Sequence, residues 1–204
     1  MDLYEYDESI RKDGFGVIAG VDEAGRGPLA GPVVAAAVIL NYDFRIPGIR
    51  DSKKISGKER EELFNEILLT AKDIGIGKVD EEEIDKINIL RATKLAMHNA
   101  ILQLKHTPDV ILIDALHIPS IKIKQMPIIK GDAKSASIAA ASIIAKVTRD
   151  RIMVKYHSLY PEYCFDRHKG YATEAHIDRL MKYGPCPIHR KSFQRVMSLP
   201  LPFK

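Results

Sequence analysis

Cysteine is scarce: the 204 residues hold two, Cys164 and Cys186. Neither has a partner at metal-ligand spacing, so a zinc module and a disulfide-stapled scaffold are excluded, and free thiols in a reducing compartment are expected. No apolar run approaches the ~18 residues of a membrane span. The opening Met1-Asp2-Leu3-Tyr4-Glu5-Tyr6-Asp7-Glu8 is acidic and polar, unlike a secretory leader. Internal repeats and low-complexity linkers are missing as well. What remains is the expectation of a soluble, cytoplasmic, monomeric protein, and its 46% hydrophobic residues suffice for one real core.

Charge is present but uneven. Residues 146–204 carry twelve Lys and Arg against five Asp and Glu, leaving nineteen against twenty-two in residues 1–145. We divide the chain accordingly into a core, 1–145, and a basic C-terminal helical part of the same domain, 146–204. A basic third beside carboxylates suits a polyanion held over a metal site, although solvated helix faces would give the same count.

Strands and helices alternate. Phe15–Val21 and Val33–Leu40 read as strands. Ser56 with Glu59 is a capping box opening a helix to about Ala71. Ile74–Val79 is a strand, Asp80 with Glu83 caps a short acidic helix, and a longer helix covers Ile89–Leu104. Asp109–Asp114 is a buried strand ending in a carboxylate. Ile121–Lys124 and Met126–Ile129 read as edge strands. A small-residue helix spans Ser137–Tyr156, another Glu174–Tyr183, and a last helical stretch His189–Val196. The pattern predicts an α/β layered domain with helices crowding its C-terminal side.

The chemistry concentrates where the first strand ends, in Val21-Asp22-Glu23-Ala24-Gly25-Arg26-Gly27-Pro28. Charges beside an apolar run are costly unless neutralised. Asp114 ends another strand, and Asp132 precedes the long helix. Strand ends are where α/β sheets usually bind ligands. Carboxylates converging there raise one another's pKa, and two Mg²⁺ or Mn²⁺ ions ~3.5–4 Å apart would relieve the repulsion and suit displacement at phosphorus. Taken singly, each Asp is more often a turn or cap residue. Gly25 and Gly27 permit close ligand approach, freeing Arg26 and nearby amides to grip an anion or a sugar hydroxyl.

Five motifs follow in order: Asp22-Glu23-Ala24-Gly25-Arg26-Gly27-Pro28, Asp51-Ser52-Lys53-Lys54, Asp114-Ala115, Lys130-Gly131-Asp132-Ala133 and His168-Lys169-Gly170-Tyr171. From about Gly14 to Val196 the chain resembles type 2 ribonuclease H of the bacterial kind. The resemblance implies a ribonuclease H-like fold, a mixed central sheet flanked by helices with a C-terminal helical cap. It implies a divalent-metal endonuclease that cuts the RNA strand of RNA–DNA hybrids. It also implies incision beside a single ribonucleotide in duplex DNA, leaving 3′-hydroxyl and 5′-phosphate ends. The family's four carboxylates match Asp22, Glu23, Asp114 and Asp132. Its sensor of the ribose 2′-hydroxyl matches Gly25, Arg26 and Gly27, and its junction-stacking tyrosine matches Tyr171. The residue set of type 3 relatives after the Asp-Glu pair is not present.

Other substrate-binding candidates keep two readings. Ser52 either donates to a phosphate or simply precedes the helix, and Lys53 holds a phosphate, steadies a ligand carboxylate or faces solvent. Lys134 and Ser135 open a helix, an anion site or a plain N-cap. His168 and Lys169 are phosphate candidates, and Tyr171 is a stacking ring or a buried anchor. Arg149, Asp150 and Arg151 read as an exposed helical face, and Arg190 and Lys191 as part of the basic cap. The terminal apolar residues from Ser198 suggest a peptide that docks a sliding clamp, or one that packs on its own domain. Two rivals fit less well. A dinucleotide fold needs a helix where Pro28, Pro32 and the Val33–Leu40 run stand. A non-catalytic nucleic-acid binder has no use for carboxylates that repel phosphate.

Overall fold

The computed structural model describes residues 2–50, 52 and 55–198. Its sheet has the strand order β3-β2-β1-β4-β5. Strand β2 (Val33–Ile39) runs antiparallel to both β1 (Ile18–Ala24) and β3 (Asp73–Val79), whereas β4 (Val110–Asp114) is parallel to β1 and β5 (Lys124–Ile128) is parallel to β4. This is the mixed sheet expected. Strand β2 is buried along its whole length, which is why it reads as an unbroken Val/Ala/Ile run rather than an alternation.

Helices cover both faces. Helix α1 (Leu3–Lys12), α2 (Gly57–Thr70) and α5 (Ala136–Leu159) pack on one side, joining Tyr4, Phe64, Ile67 and the α5 alanines to Ala36 and Val38. Helices α3 (Glu81–Ile87) and α4 (Ile89–Leu102) cover the other, over Ala19, Val21, Ala35, Ala37, Ile111 and Ile113. A third cluster, Leu29, Met153, Tyr163, Phe165, Leu180 and Cys186, forms a cap with α6 (Phe165–His168), α7 (Glu174–Tyr183) and α8 (Gln194–Met197).

Local chemistry accounts for the boundaries. Ser56 accepts from the Glu59 amide at the start of α2, and Asp80 from the Glu83 amide at α3. The α2 box is half made, because the Glu59 carboxylate pairs with Arg50 at 2.7 Å instead of turning back. A Cβ on Gly20 would lie 2.0 Å from the Ser137 carbonyl carbon, so only glycine lets α5 lie this close to β1.

Three expectations change. The polar lead contains a helix, α1, whose Asp7 is fully buried. Its Oδ2 accepts from the Ser137 amide at 2.9 Å, the Ser137 hydroxyl at 2.8 Å and the Tyr42 hydroxyl at 3.1 Å. The two expected edge strands are one, with Pro127 tolerated at the sheet edge. The helical stretch from His189 begins only at Gln194, because His189 bridges to Ala30 and Arg190 turns inward. No helix among the described residues is long and apolar enough to cross a membrane.

Candidate active site

Strand pairing brings the carboxylates to one end of the sheet. Val21 pairs with Ile113, so Asp22 and Asp114 stand level on adjacent parallel strands and leave the same face. Glu23, the next residue, leaves from the other face at the same end. Asp22 is 4% exposed. Its pKa is raised well above the ordinary carboxyl value, by burial first and then by the charges of Glu23 and Asp114. It is steadied by the Glu23 amide at 2.7 Å and by a hydrogen bond with Ser142. Burial also raises Glu23, against the opposing charge of Arg26, whose Nη1 lies 3.3 Å from Glu23 Oε1. The other carboxylate oxygen of Glu23, Oε2, is buried with no hydrogen-bond partner.

Asp114 Oδ1 accepts from the Gly131 amide at 2.8 Å, tying β4 to the turn Gly131–Ala133 in which Asp132 is buried. Among the described residues, no three His, Cys, Asp or Glu side chains already enclose a metal-sized space. The donor set nevertheless suits a hard divalent cation: buried oxygen donors, a partnerless Glu23 oxygen, and mutual repulsion that a cation would relieve.

The loop after β1 forms the adjoining wall. Gly25 has φ +102°, and a Cβ there would meet Arg149 Nε at 2.2 Å. Gly27 keeps ordinary φ, but its missing side chain leaves room beside Tyr171, whose ring carbon would lie 4.0 Å from a Cβ. Arg26 and Tyr171 are both half-exposed. Lys146 Nζ and Arg149 Cζ lie 5.6 and 5.8 Å from the Tyr171 ring centroid.

Similarity to known proteins decides the family. The family model for ribonuclease HII matches residues 19–196. A ribonuclease HII of Caldanaerobacter subterraneus subsp. tengcongensis is 57% identical over 188 residues, covering 92% of this chain and 78% of that one. The chain belongs to the ribonuclease HII family. Two solved structures share the fold of this ribonuclease HII chain. Pyrococcus horikoshii ribonuclease H2 has a TM-score of 0.75 at 30% identity, covering 90% of this chain and 96% of that one. Archaeoglobus fulgidus ribonuclease HII, in a complex with PCNA, has a TM-score of 0.73 at 28% identity, covering 87% and 95%. The protein is therefore a hydrolase of the ribonuclease H type.

The remaining candidates in this family member are placed as follows. Ser52 is buried, its hydroxyl 2.8 Å from that of Ser142, so it faces inward rather than out to a phosphate. Lys53 lies outside the described residues. Ser135 caps α5 by accepting from the Ile138 amide at 3.2 Å, and Lys134 is exposed beside it. His168 is turned to the Tyr163 carbonyl at 2.7 Å, and Lys169 to the Asp166 carbonyl.

Three residues near the site escape the sequence reading. Ser142, on a small-residue helix, links Ser52 to Asp22. Arg149 and Arg190 are 0% exposed, which corrects the expectation of an exposed face and a surface cap. Charged residue types give no hint of such burial. The one available signal is position: Arg149 and Met153 fall a helical turn apart on the same stripe.

Proposed function

We propose that this ribonuclease is a metal-dependent endonuclease that cuts the RNA strand of RNA–DNA hybrids. It incises on the 5′ side of a single ribonucleotide embedded in duplex DNA and leaves 3′-hydroxyl and 5′-phosphate ends. The observation that carries this is the meeting of Asp22, Glu23 and Asp114 with the Gly25-Arg26-Gly27 loop and Tyr171 at one end of the sheet. Asp22, Glu23, Asp114 and Asp132 would hold two Mg²⁺ or Mn²⁺ ions. When bound, such ions supply an activated water and charge stabilisation for the leaving oxygen.

The protein's own part is placement and reading. The carboxylates bind, and the Asp114–Gly131 bond keeps Asp132 beside them. Arg26 and the glycine-flanked peptide groups approach the 2′-hydroxyl, the group that separates RNA from DNA at one position. Tyr171 stacks on the adjoining sugar, with Lys146 behind it. Lys134 and Lys169 add positive charge along the backbone path. Ser52 acts through Ser142 on Asp22 rather than on substrate.

The test is a gel assay of a duplex carrying one ribonucleotide, with and without Mg²⁺ or Mn²⁺. A metal-dependent nick on the 5′ side supports the reading; binding without cleavage, or cleavage of all-DNA duplex, overturns it. A clamp contact through residues 198–204 is a second reading. The complex of the Archaeoglobus relative with PCNA favours it; residues 199–204 lie outside the described residues. Deleting 198–204 should abolish clamp binding while leaving cleavage intact, and unchanged clamp binding removes the idea.

A further inference from the structure

Two guanidinium groups lie in the interior under the Gly25–Pro32 loop, and each aims its N–H groups at main-chain carbonyls. Arg190 donates from Nη2 to Gly25 O at 2.6 Å and Gly31 O at 2.7 Å. It donates from Nη1 to Arg26 O at 3.0 Å and Pro28 O at 2.9 Å, and from Nε to Gly31 O at 2.9 Å. Arg149 donates from Nε to Pro32 O at 2.9 Å, from Nη2 to Ala30 O at 3.0 Å and from Nη1 to Lys169 O at 3.0 Å. The last bond crosses to the loop carrying Tyr171. A main-chain bond closes the same gap, Leu29 N–H to Gly170 O, and another ties the loop to the segment before Arg190, Gly31 N–H to Ile188 O, both 2.8 Å.

Burying a guanidinium is unfavourable without matched acceptors, and buried carbonyls are equally unfavourable without donors. Here each supplies the other. Only a planar fork with several fixed donors reaches carbonyls spread over seven residues; an ammonium donates from one point. All of these arginine bonds but the one to Lys169 O take the carbonyl side of the loop, and the N–H edge of Gly25, Arg26 and Gly27 is not used in them.

We propose that Arg149 and Arg190 are positioning residues for substrate selectivity. They draw the carbonyl side of the Gly25–Pro32 loop inward, which holds Arg26, its flanking peptide groups and Tyr171 in the arrangement that accepts a ribonucleotide joined to a deoxyribonucleotide. This rests on the reading of Gly25-Arg26-Gly27 as the 2′-hydroxyl sensor and Tyr171 as the stacking ring.

The test compares full-length wild type, Arg190→Lys, Arg149→Lys, Arg26→Ala and a control, Tyr163→Phe. The control removes a cap hydrogen bond, to Gly184 O, without touching the loop. The readouts are kcat/KM on a duplex with one ribonucleotide, kcat/KM on a uniform RNA–DNA hybrid, and Mn²⁺ affinity by calorimetry. The ratio of the two kcat/KM values should fall about tenfold in the Lys variants, the effect of losing one or two net hydrogen bonds. Mn²⁺ affinity and the Tyr163→Phe ratio should hold. An unchanged ratio in folded Arg190→Lys, or an equal fall in Tyr163→Phe, overturns the proposal.

Should neither Lys variant fold, amide exchange on the wild type decides. Leu29 and Gly31 should be protected before any duplex is added; free exchange that slows only with duplex present overturns a preset loop. Wild-type kcat/KM of Arg26→Ala on both substrates overturns the sensor reading itself. A sensitive Arg26→Ala with an insensitive Arg190→Lys overturns only the clamp.

Discussion

At Asp22, stability and cation binding pull in opposite directions. Burial and two neighbouring carboxylates raise its folded pKa above the unfolded value. Its contribution to stability is therefore full below the unfolded pKa of ~3.9 and is lost as pH rises through the folded one. A bound divalent cation reverses that loss. The metal-induced rise in Tm should thus grow with pH. Asp22→Asn should leave the metal-free Tm equal or higher at neutral pH while lowering kcat by on the order of 10²–10³-fold, measured by scanning calorimetry and single-turnover cleavage. Arg26→Ala should weaken cleavage at a lone ribonucleotide more than it weakens metal binding; titration and kinetics showing equal losses would count against the sensor role. At this scale the meeting of Asp22, Glu23 and Asp114 at one end of the sheet was legible, because each stands at the end of an apolar run that reads as a strand. Arg149 and Arg190 were not, because nothing local distinguishes an arginine that bonds carbonyls more than a hundred residues away from one that meets water.

Elements were legible where a cap or a period announces them. Ser56, Asp80 and the run Glu174–Tyr183 marked their helices, and the unbroken apolarity of β2 marked a buried strand. Helix α1 was hidden because its buried stripe, Tyr4, Asp7 and Ile10, contains a carboxylate at its centre. Ser56→Ala should cost about 1 kcal/mol in urea unfolding, the usual worth of an N-cap, with cleavage unaffected. Gly20→Ala is a sharper test of the α5–β1 approach. The added methyl has no room against Ser137, so α5 must shift. Overpacking of this kind costs ~1–3 kcal/mol. Cleavage should fall too, since the next turn of α5 carries Ser142 to Asp22.

Across the whole molecule, the cap is held by neutral imidazoles. The Cys186 amide donates to His189 Nδ1 at 2.9 Å, which leaves the Nε2 proton to bond His176 Nε2 at 3.0 Å. His176 Nδ1–H then donates to the Tyr171 carbonyl at 2.9 Å. Burial pushes His176 down to about 4 and His189 down to about 3. Both folded values lie below the unfolded ~6.5, so the unfolded chain takes up the protons. Stability is full above pH ~6.5 and is lost as pH falls from there toward 4, at up to ~1.4 kcal/mol per pH unit for each ring. Chemical unfolding between pH 7 and 4.5 should show this slope, and His189→Asn should flatten it.

The family match begins at residue 19, one strand residue beyond the start of β1, and so leaves α1 outside it. A fragment cut at that boundary would discard Asp7, and with it the acceptor for both the amide and the hydroxyl of Ser137. The long helix, which reaches Asp22 through Ser142 five residues later, would then begin with bare, buried donors. The leading dozen residues thus work as the footing of α5, and trimming the chain to the start of the family match should yield a poorly behaved protein rather than a minimal one.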